Sequence, residues 1–317
     1  MEKACQYLNF SHAEIEKVCQ QYFLNGRLQK FEILSGGAVN TTFKIYWDND
    51  WYVLRFYVRD KNLSSIEESV YRLVQNTVPI PEMLFASSEP YPFAIFRFCR
   101  QPHIYDVNKK YSQRLSYDLG AVLAKIHSFR FPSAGLFGKG LTITTLFEKG
   151  SSPYFEYCLK HLIPGSHVWD HLGEAQSKQV IHFIEKHKDY FPTIRNRGCL
   201  VHSDFKPVNL LWDEKLGLTV LDWEFAHSGD KIIDFGILLR HYQDFPLDIS
   251  YLEKGYKDNG GQLVVDWVQR ARITDFINII QLLNTSLVQP QLFQSLISSL
   301  NFTILNWNEL RPILEES

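Results

Sequence analysis

The sequence predicts an α+β fold in two lobes: a small β-rich N-terminal lobe over residues 1–99 and a large, mainly helical C-terminal lobe over residues 100–317. Three observations carry this. Alternating apolar residues and turn formers crowd into the first hundred positions. Helical spacing dominates after residue 100. One β-rich island, residues 199–224, interrupts those helices.

The elements of the first lobe follow in order. Ser11 and Glu14 form a capping-box pattern, with Ile15, Val18, Cys19, Tyr22 and Phe23 at helical spacing behind it. Residues 28–34 make a strand that Ser35-Gly36-Gly37 breaks. Val39, Thr41, Phe43, Ile45 and Trp47 alternate as a second strand. Asp48-Asn49-Asp50 signals a turn, and residues 51–58 return as a third. Ser64 and Ser65 each stand three positions before a glutamate, which starts a helix near Ile66, and Pro79 and Pro81 require it to have ended. Residues 94–98 read as a buried strand. In the second lobe Leu115, Leu119, Val122, Leu123 and Ile126 mark a long helix.

Composition bounds the function. With 317 residues and 45% hydrophobic content the chain can bury a large core. A net charge of −2, with no basic stripe or tail, predicts no nucleic-acid partner. The five cysteines (Cys5, Cys19, Cys99, Cys158, Cys199) are odd in number and form no CxxC pair, so neither a disulfide framework nor a zinc site is expected. The sequence shows no leader pattern and no long apolar run, which predicts a cytoplasmic protein without a membrane span. The oligomeric state is not encoded in any recognisable signal.

The chemistry concentrates in His202-Ser203-Asp204-Phe205-Lys206-Pro207-Val208-Asn209, followed a dozen residues later by Asp222-Trp223-Glu224. The apolar residues 199–201 deliver Asp204 from the end of a strand, and Pro207 stiffens the loop. Asn209 immediately precedes Leu210-Leu211-Trp212, Gly217 turns the chain, and residues 218–221 return it. That hairpin is expected to set Asn209 and Asp222 at neighbouring strand ends. An amide oxygen and a carboxylate there suit Mg²⁺, which takes hard oxygen ligands together with substrate phosphates. Asp204 can accept the proton of an attacking hydroxyl.

HSDFKPVN resembles the protein-kinase catalytic loop. The whole pattern, with Trp223-Glu224 after the second Asp and Gly229-Asp230 and Ile233-Asp234-Phe235-Gly236 downstream, is more similar to the aminoglycoside phosphotransferase/choline kinase family. The resemblance covers most of the chain and is strongest over residues 200–236. It implies a protein-kinase-like two-lobe fold. It also implies that Asp204 is the catalytic base or hydroxyl-orienting group, that Asn209 and Asp222 bind the metal, that His202 braces the loop, and that Asp234 supports it by hydrogen bonds. Lys206 departs from the histidine common in small-molecule members. It either contacts the transferred phosphate, as in protein kinases, or is a solvated surface lysine.

The same resemblance assigns the nucleotide side. No Walker A sequence is present, and Ser35-Gly36-Gly37, with Asn40 just beyond, is similar to the family's short phosphate-covering loop. Arg55 stands where kinases carry a phosphate-binding lysine. It should pair with a helix glutamate: Glu67 and Glu68 are both candidates, family alignment favours Glu67, and spacing alone does not choose between them. Residues 94–98 resemble the hinge strand, so adenine is expected near Arg97, Phe98 and Cys99.

The implied activity is transfer of the γ-phosphate of ATP, or GTP, with Mg²⁺, to a hydroxyl of a small molecule. Acceptors in the family range from aminoglycosides to choline and homoserine. The rival class is a non-catalytic nucleotide-binding pseudokinase, against which the intact Asp204, Asn209 and Asp222 set argues. His127 reads as a core or helix-capping histidine. Trp267, Trp307 and Tyr251 read as core packing rather than an ammonium cage, and Asp244, Asp248 and Asp266 as solvated surface rather than an acidic pocket.

Overall fold

The structure is a computed structural model that describes residues 10–34, 40–57, 61–87, 91–194 and 197–315. The chain divides into two compact units. Met1–Gln101 with Gly138–Thr142 and Thr219–Glu224 forms the first; Pro102–Phe137, Ile143–Leu218 and Phe225–Ser317 form the second. The short segment that contains Asp222 and Glu224 therefore clusters with the N-terminal sheet.

In the first unit, helix α1 (His12–Cys19) starts at the expected capping box, with Glu14 N–H donating to Ser11 Oγ at 3.3 Å and Ser11 N–H to Glu14 Oε2 at 2.8 Å. Strands β1 (Leu28–Ile33), β2 (Thr41–Trp47) and β3 (Asp50–Phe56) are followed by helix α2 (Lys61–Val74) and strands β4 (Met83–Ser87) and β5 (Phe93–Arg97). The strands form one antiparallel sheet in the order β1-β2-β3-β5-β4. Asp48 (φ 46°) and Asn49 (φ 72°) make the β2–β3 turn, both in the left-handed region that a two-residue hairpin favours. The period of two then sorts the faces. Phe43, Ile45 and Trp47 of β2 and Leu54 and Phe56 of β3 pack with Ile15, Val18 and Cys19 of α1 into one core. Arg55, between Leu54 and Phe56, is left on the opposite face, across from Thr42.

Two details differ from the sequence reading. Helix α2 begins at Lys61, not near Ile66. Serines inside a helix bond back to the preceding turn, as Ser69 Oγ does to Ser65 O at 2.7 Å, so a serine with a following glutamate need not mark a start. Strand β4 was not foreseen, because all five of its residues are half-buried and no alternation shows.

The second unit opens with α3 (Ser112–Ser128), whose stripe of Leu115, Leu119, Val122, Leu123 and Ile126 is buried as its spacing predicts. Next come β6 (Arg130–Phe131), β7 (Gly135–Phe137), β8 (Ile143–Leu146), α4 (Pro153–His161), α5 (His167–Leu172) and α6 (Glu174–Lys186). The β-rich island supplies β9 (Gly198–Val201), β10 (Leu210–Asp213), β11 (Gly217–Val220), whose Thr219 and Val220 cluster with the first unit, and β12 (His227–Gly229). Helices α7 (Ile232–Arg240), α8 (Ile249–Asp258), α9 (Trp267–Thr274), α10 (Phe276–Leu283), α11 (Pro290–Leu305) and α12 (Leu310–Glu315) complete it. The expectation of a helical lobe with one short hairpin needs correction. Besides the β10–β11 hairpin there is a second five-stranded sheet, β6-β9-β12-β7-β8. Its strands are two to four residues long, too short to leave an alternation in the sequence.

Helices α3 and α8 approach closely through glycines. A Cβ on Gly120 would lie 2.1 Å from the Leu252 carbonyl oxygen, and one on Gly255 would lie 2.1 Å from that of Tyr117. This packing positions Tyr256 of α8 beside His127 of α3. Among the described residues, no helix is long and apolar enough to cross a membrane.

Candidate active site

The fully buried strand β9 leads directly into the loop 202–209. The loop turns sharply: Ser203 has φ 63°, a left-handed conformation that a non-glycine residue adopts at a cost of about 1–3 kcal/mol. Asp234, in the first turn of α7 and without solvent exposure, holds that turn in place. Its carboxylate accepts the N–H of His202 at 2.8 Å and of Ser203 at 2.7 Å. His127 Nε2 stands 3.1 Å from Asp234 Oδ2, and His127 Nδ1 3.1 Å from the Tyr256 hydroxyl. Burial alone would raise the pKa of Asp234, but the bonds from His127 and the loop amides override it and hold the carboxyl below its ordinary range. Asp234 is thus an anion spent on backbone geometry. His202 adds a second brace, its Nδ1 accepting the Asp204 N–H at 3.2 Å.

Asp204 emerges from this frame with both carboxylate oxygens engaged. Oδ1 lies 2.8 Å from Lys206 Nζ, and Oδ2 accepts from Asn209 Nδ2 at 2.7 Å. The same Nδ2 donates to the Asp204 carbonyl at 2.9 Å. Pro207–Asn209 forms a single 3₁₀ turn, closed by Asn209 N–H to Lys206 O at 2.9 Å. The Asn209 side chain therefore spends its nitrogen on Asp204, which leaves its carbonyl oxygen as the hard donor suited to a cation.

The first unit carries a second charged group. Arg55 Nη2 lies 2.6 Å from Asp222 Oδ1, Nη1 3.3 Å from Glu67 Oε1, and Nη2 3.7 Å from Glu224 Oε2. Glu67 also accepts from the Tyr57 hydroxyl and, at 3.0 Å, from the Trp223 N–H. Glu224 accepts from Asn40 Nδ2 at 2.7 Å. Asp222 itself has φ 64°. One guanidinium faces three carboxylates, and all but Asp222 are nearly fully buried. Burial would lower the pKa of Arg55, yet Asp222 and Glu67 hold it well above its ordinary value. Burial, reinforced by neighbouring carboxylates, raises Glu67 and pushes Glu224 up to about 7. The excess of negative charge is what a divalent cation would neutralise.

The profile of the phosphotransferase enzyme family matches residues 30–277, a span that contains both groups. The chain belongs to that family. No curated protein matches the sequence. Solved structures do. Aminoglycoside phosphotransferase APH(4)-Ia is 18% identical, with a TM-score of 0.65 over 97% of this chain and 99% of that one. A candidate aminoglycoside phosphotransferase from Ralstonia eutropha JMP134 is 17% identical, with a TM-score of 0.63 over 96% and 99%. A candidate fructosamine-3-kinase from Thermobifida fusca YX-ER1 is 12% identical, with a TM-score of 0.63 over 94% and 100%. At these identities the likeness establishes the kinase-like fold.

The phosphotransferase distributes the residues singled out in its sequence as follows. Asp204, Lys206 and Asn209 come together in the second unit; Asn40, Arg55, Glu67 and Asp222 come together in the first. Glu67, not Glu68, faces Arg55, while Glu68 bonds Arg72 one turn on at 2.6 Å. Ser35, Gly36 and Gly37 lie outside the described residues. Around the expected hinge, the Arg97 side chain is exposed and bonds Glu82 at 2.8 Å. The Phe98 ring lies 4.5 Å from Lys44 Nζ, and Cys99 is half-buried with its thiol pKa raised by burial.

Trp267 and Trp307 are core residues, Asp248 caps α8, and Asp244 and Asp266 pair with His241 and Arg270. A cleft of about 500 Å³ between α2 and β4, lined by Glu68, Tyr71, Arg72 and Phe85, contains none of the residues expected to bind nucleotide or metal. Among the described residues no three or more His, Cys, Asp or Glu side chains are grouped to hold a metal by themselves. Neither Tyr57 nor Glu224 stands out as a site residue in the sequence. The DWE spacing could have flagged Glu224.

Proposed function

We propose that this phosphotransferase moves the γ-phosphate of ATP, or GTP, to a hydroxyl of a small molecule, with Asp204 as the group that receives or orients the hydroxyl proton. The observation that carries the reading is the double anchoring of the Asp204 carboxylate by Lys206 and Asn209 on a loop whose strained turn is held by Asp234. Geometry of that kind is costly to maintain and suits a group that must meet a reacting atom in one orientation. Nucleotide use is supported by the ternary complexes of an APH(4)-Ia mutant with ADP or AMP-PNP and hygromycin B.

In this reading the acceptor oxygen bonds to the γ-phosphorus as the bond to the β–γ bridging oxygen breaks, and the hydroxyl proton passes to Asp204. Lys206 keeps the Asp204 carboxylate oriented and can turn toward the transferred phosphoryl group. Arg55, fixed by Glu67, offers its guanidinium to the phosphates. Asn209 Oδ1 and Asp222 would hold Mg²⁺, which when bound neutralises phosphate charge. Ser35, Gly36, Gly37 and Asn40 would cover the phosphates, and the backbone of Arg97, Phe98 and Cys99 would meet the base. Residues 1–99 would then serve chiefly for nucleotide binding, and residues 100–317 for catalysis and acceptor binding.

The test is nucleotide turnover with Mg²⁺ and either ATP or GTP across a panel of aminoglycosides, amino alcohols and sugars, with the product located by ³¹P NMR. Phosphorylated product from the native enzyme and none from Asp204→Ala is the expected result. Nucleotide binding without transfer to any acceptor would favour the pseudokinase reading.

A further inference from the structure

We propose that the second unit binds a monatomic anion of the chloride class beside Arg272 and Arg240, where α7, α9, α10 and α11 meet. None of these residues belongs to the group around Asp204, and the proposal stands apart from the phosphotransfer reading.

Arg272 lies in the last turn of α9 and is only 1% exposed. Its guanidinium is held by neutral groups. Nε donates to Thr303 Oγ1 at 3.2 Å; Nη2 donates to Thr303 Oγ1 at 2.8 Å, Ser299 Oγ at 2.9 Å and Ser299 O at 3.2 Å. Nη1 is buried and has no hydrogen-bond partner among the described residues. Arg240, in the last turn of α7, brings a second guanidinium on a side chain that is 9% exposed. Its Nε stands 3.5 Å from Asp275 Oδ2, too far for a good hydrogen bond, and among the described residues Nε, Nη1 and that carboxylate oxygen are all without a hydrogen-bond partner. The hydroxyl of the fully buried Thr274 is also unpartnered.

Charge decides what is missing. The ionisable groups that act on Arg272 are Asp275, Arg240 and Tyr242. Among the described residues Asp275 is the carboxylate that these two guanidinium groups share, which leaves one positive charge uncompensated there. The cluster does not discharge by losing a proton: burial pushes Arg272 down only to about 10, still far above neutral pH. Water could satisfy the orphaned N–H groups but would leave the charge. The carbonyl ends of α7 and α9 offset part of the charge, yet none is bonded to either Nη1. An anion does both. Arg272, Thr274, Asp275 and Thr303 are buried to within 1% exposure, which favours a monatomic ion over an oxyanion.

The occupant would tie α7 to α9 and α11. Asp234 of α7 holds the catalytic loop, so the ion would brace the same helix that orients Asp204.

The experiment compares thermal unfolding of the full chain in sodium chloride and in sodium gluconate at equal ionic strength. The native protein should show a saturable rise in Tm, on the order of a few degrees, in chloride only. Arg272→Met should abolish the saturable component and Arg240→Met should weaken it. Because Arg272→Met could fail to fold, bromide-soaked crystals of the native protein supply an independent readout: anomalous density within hydrogen-bond reach of Arg272 Nη1. Superimposable chloride and gluconate curves, a saturable chloride effect that survives both substitutions, or water alone at that position would each overturn the proposal.

Discussion

Arg55 Nη2 lies 2.6 Å from Asp222 Oδ1, so the arginine of β3 bonds the carboxylate that opens the Asp222-Trp223-Glu224 segment. The same guanidinium lies 3.3 Å from Glu67, which in turn accepts the N–H of Trp223. Arg55 is therefore the electrostatic centre of the DWE segment within the first unit.

Arg55→Met should leave three carboxylates around an apolar side chain. Removing one partner of a buried ion pair costs about 3–5 kcal/mol, so the urea midpoint should fall accordingly. Arg55→Lys should recover part of the stability, because one ammonium cannot meet Glu67 and Asp222 in the fork geometry of guanidinium. A midpoint unchanged in the methionine variant would show that the cluster contributes nothing to stability.

Asp204→Ala should lower kcat by roughly 10²–10⁴ while nucleotide affinity stays close to native, since no nucleotide-binding role is assigned to Asp204. Initial rates and calorimetric titration with Mg²⁺·ATP separate the two quantities. A parallel loss of both would assign Asp204 to nucleotide binding.

Glu224 should make stability pH-dependent. Its folded pKa, about 7, lies above the ordinary 4.5, so the folded state retains a proton that the unfolded chain has released. The contribution is fully present below pH 4.5 and is lost as pH rises through 7. Glu224→Gln, which keeps the hydrogen bond to Asn40 available, should flatten that decline in denaturation curves taken between pH 4.5 and 8. An identical slope in the variant would place the titration elsewhere.

Asp234 acts in the opposite sense. Its carboxyl is depressed, so its contribution is present above the ordinary value of 3.8 and is lost as pH falls through the folded pKa. Asp234→Asn offers one acceptor oxygen where two loop amides need both. It should cost about 1–3 kcal/mol, soften the acid limb of the stability profile, and slow phosphotransfer through a displaced Asp204. Hydrogen exchange at His202 and Ser203 reports the effect directly, and unchanged protection there would count against the brace.

Ser203→Val should destabilise by about 1–3 kcal/mol, whereas Ser203→Gly should be neutral or stabilising, because a β-branched residue resists φ near 63° and glycine does not. Thermal melts of the two variants should separate in that order.

The loop of residues 202–209 was legible because its hydrogen bonds are local. Asp204 and Asn209 lie five positions apart, and a loop of that length fixes its own hydrogen bonds. The hairpin that follows was equally plain from Gly217 and its flanking apolar residues. The second five-stranded sheet was not, because its strands borrow their partners from distant segments: β9 pairs with β6 and β12, and β12 with β7. Strands of two to four residues carry no period of their own.

By itself the sequence determined the family, the two-lobe α+β class, the identity of the loop residues and the turn between β2 and β3. It could not choose between Glu67 and Glu68, which differ by about 100° around a helix whose register is set by packing. The tertiary structure decided that Glu67 meets Arg55, that Glu224 and Tyr57 join the same cluster, and that Asp234 braces the loop from α7. It also left Arg272 buried, with no carboxylate bonded to it among the described residues. Local spacing encodes turns and motifs. Which charges share a dry interior depends on contacts between residues more than a hundred positions apart, and those exist only once the chain has folded.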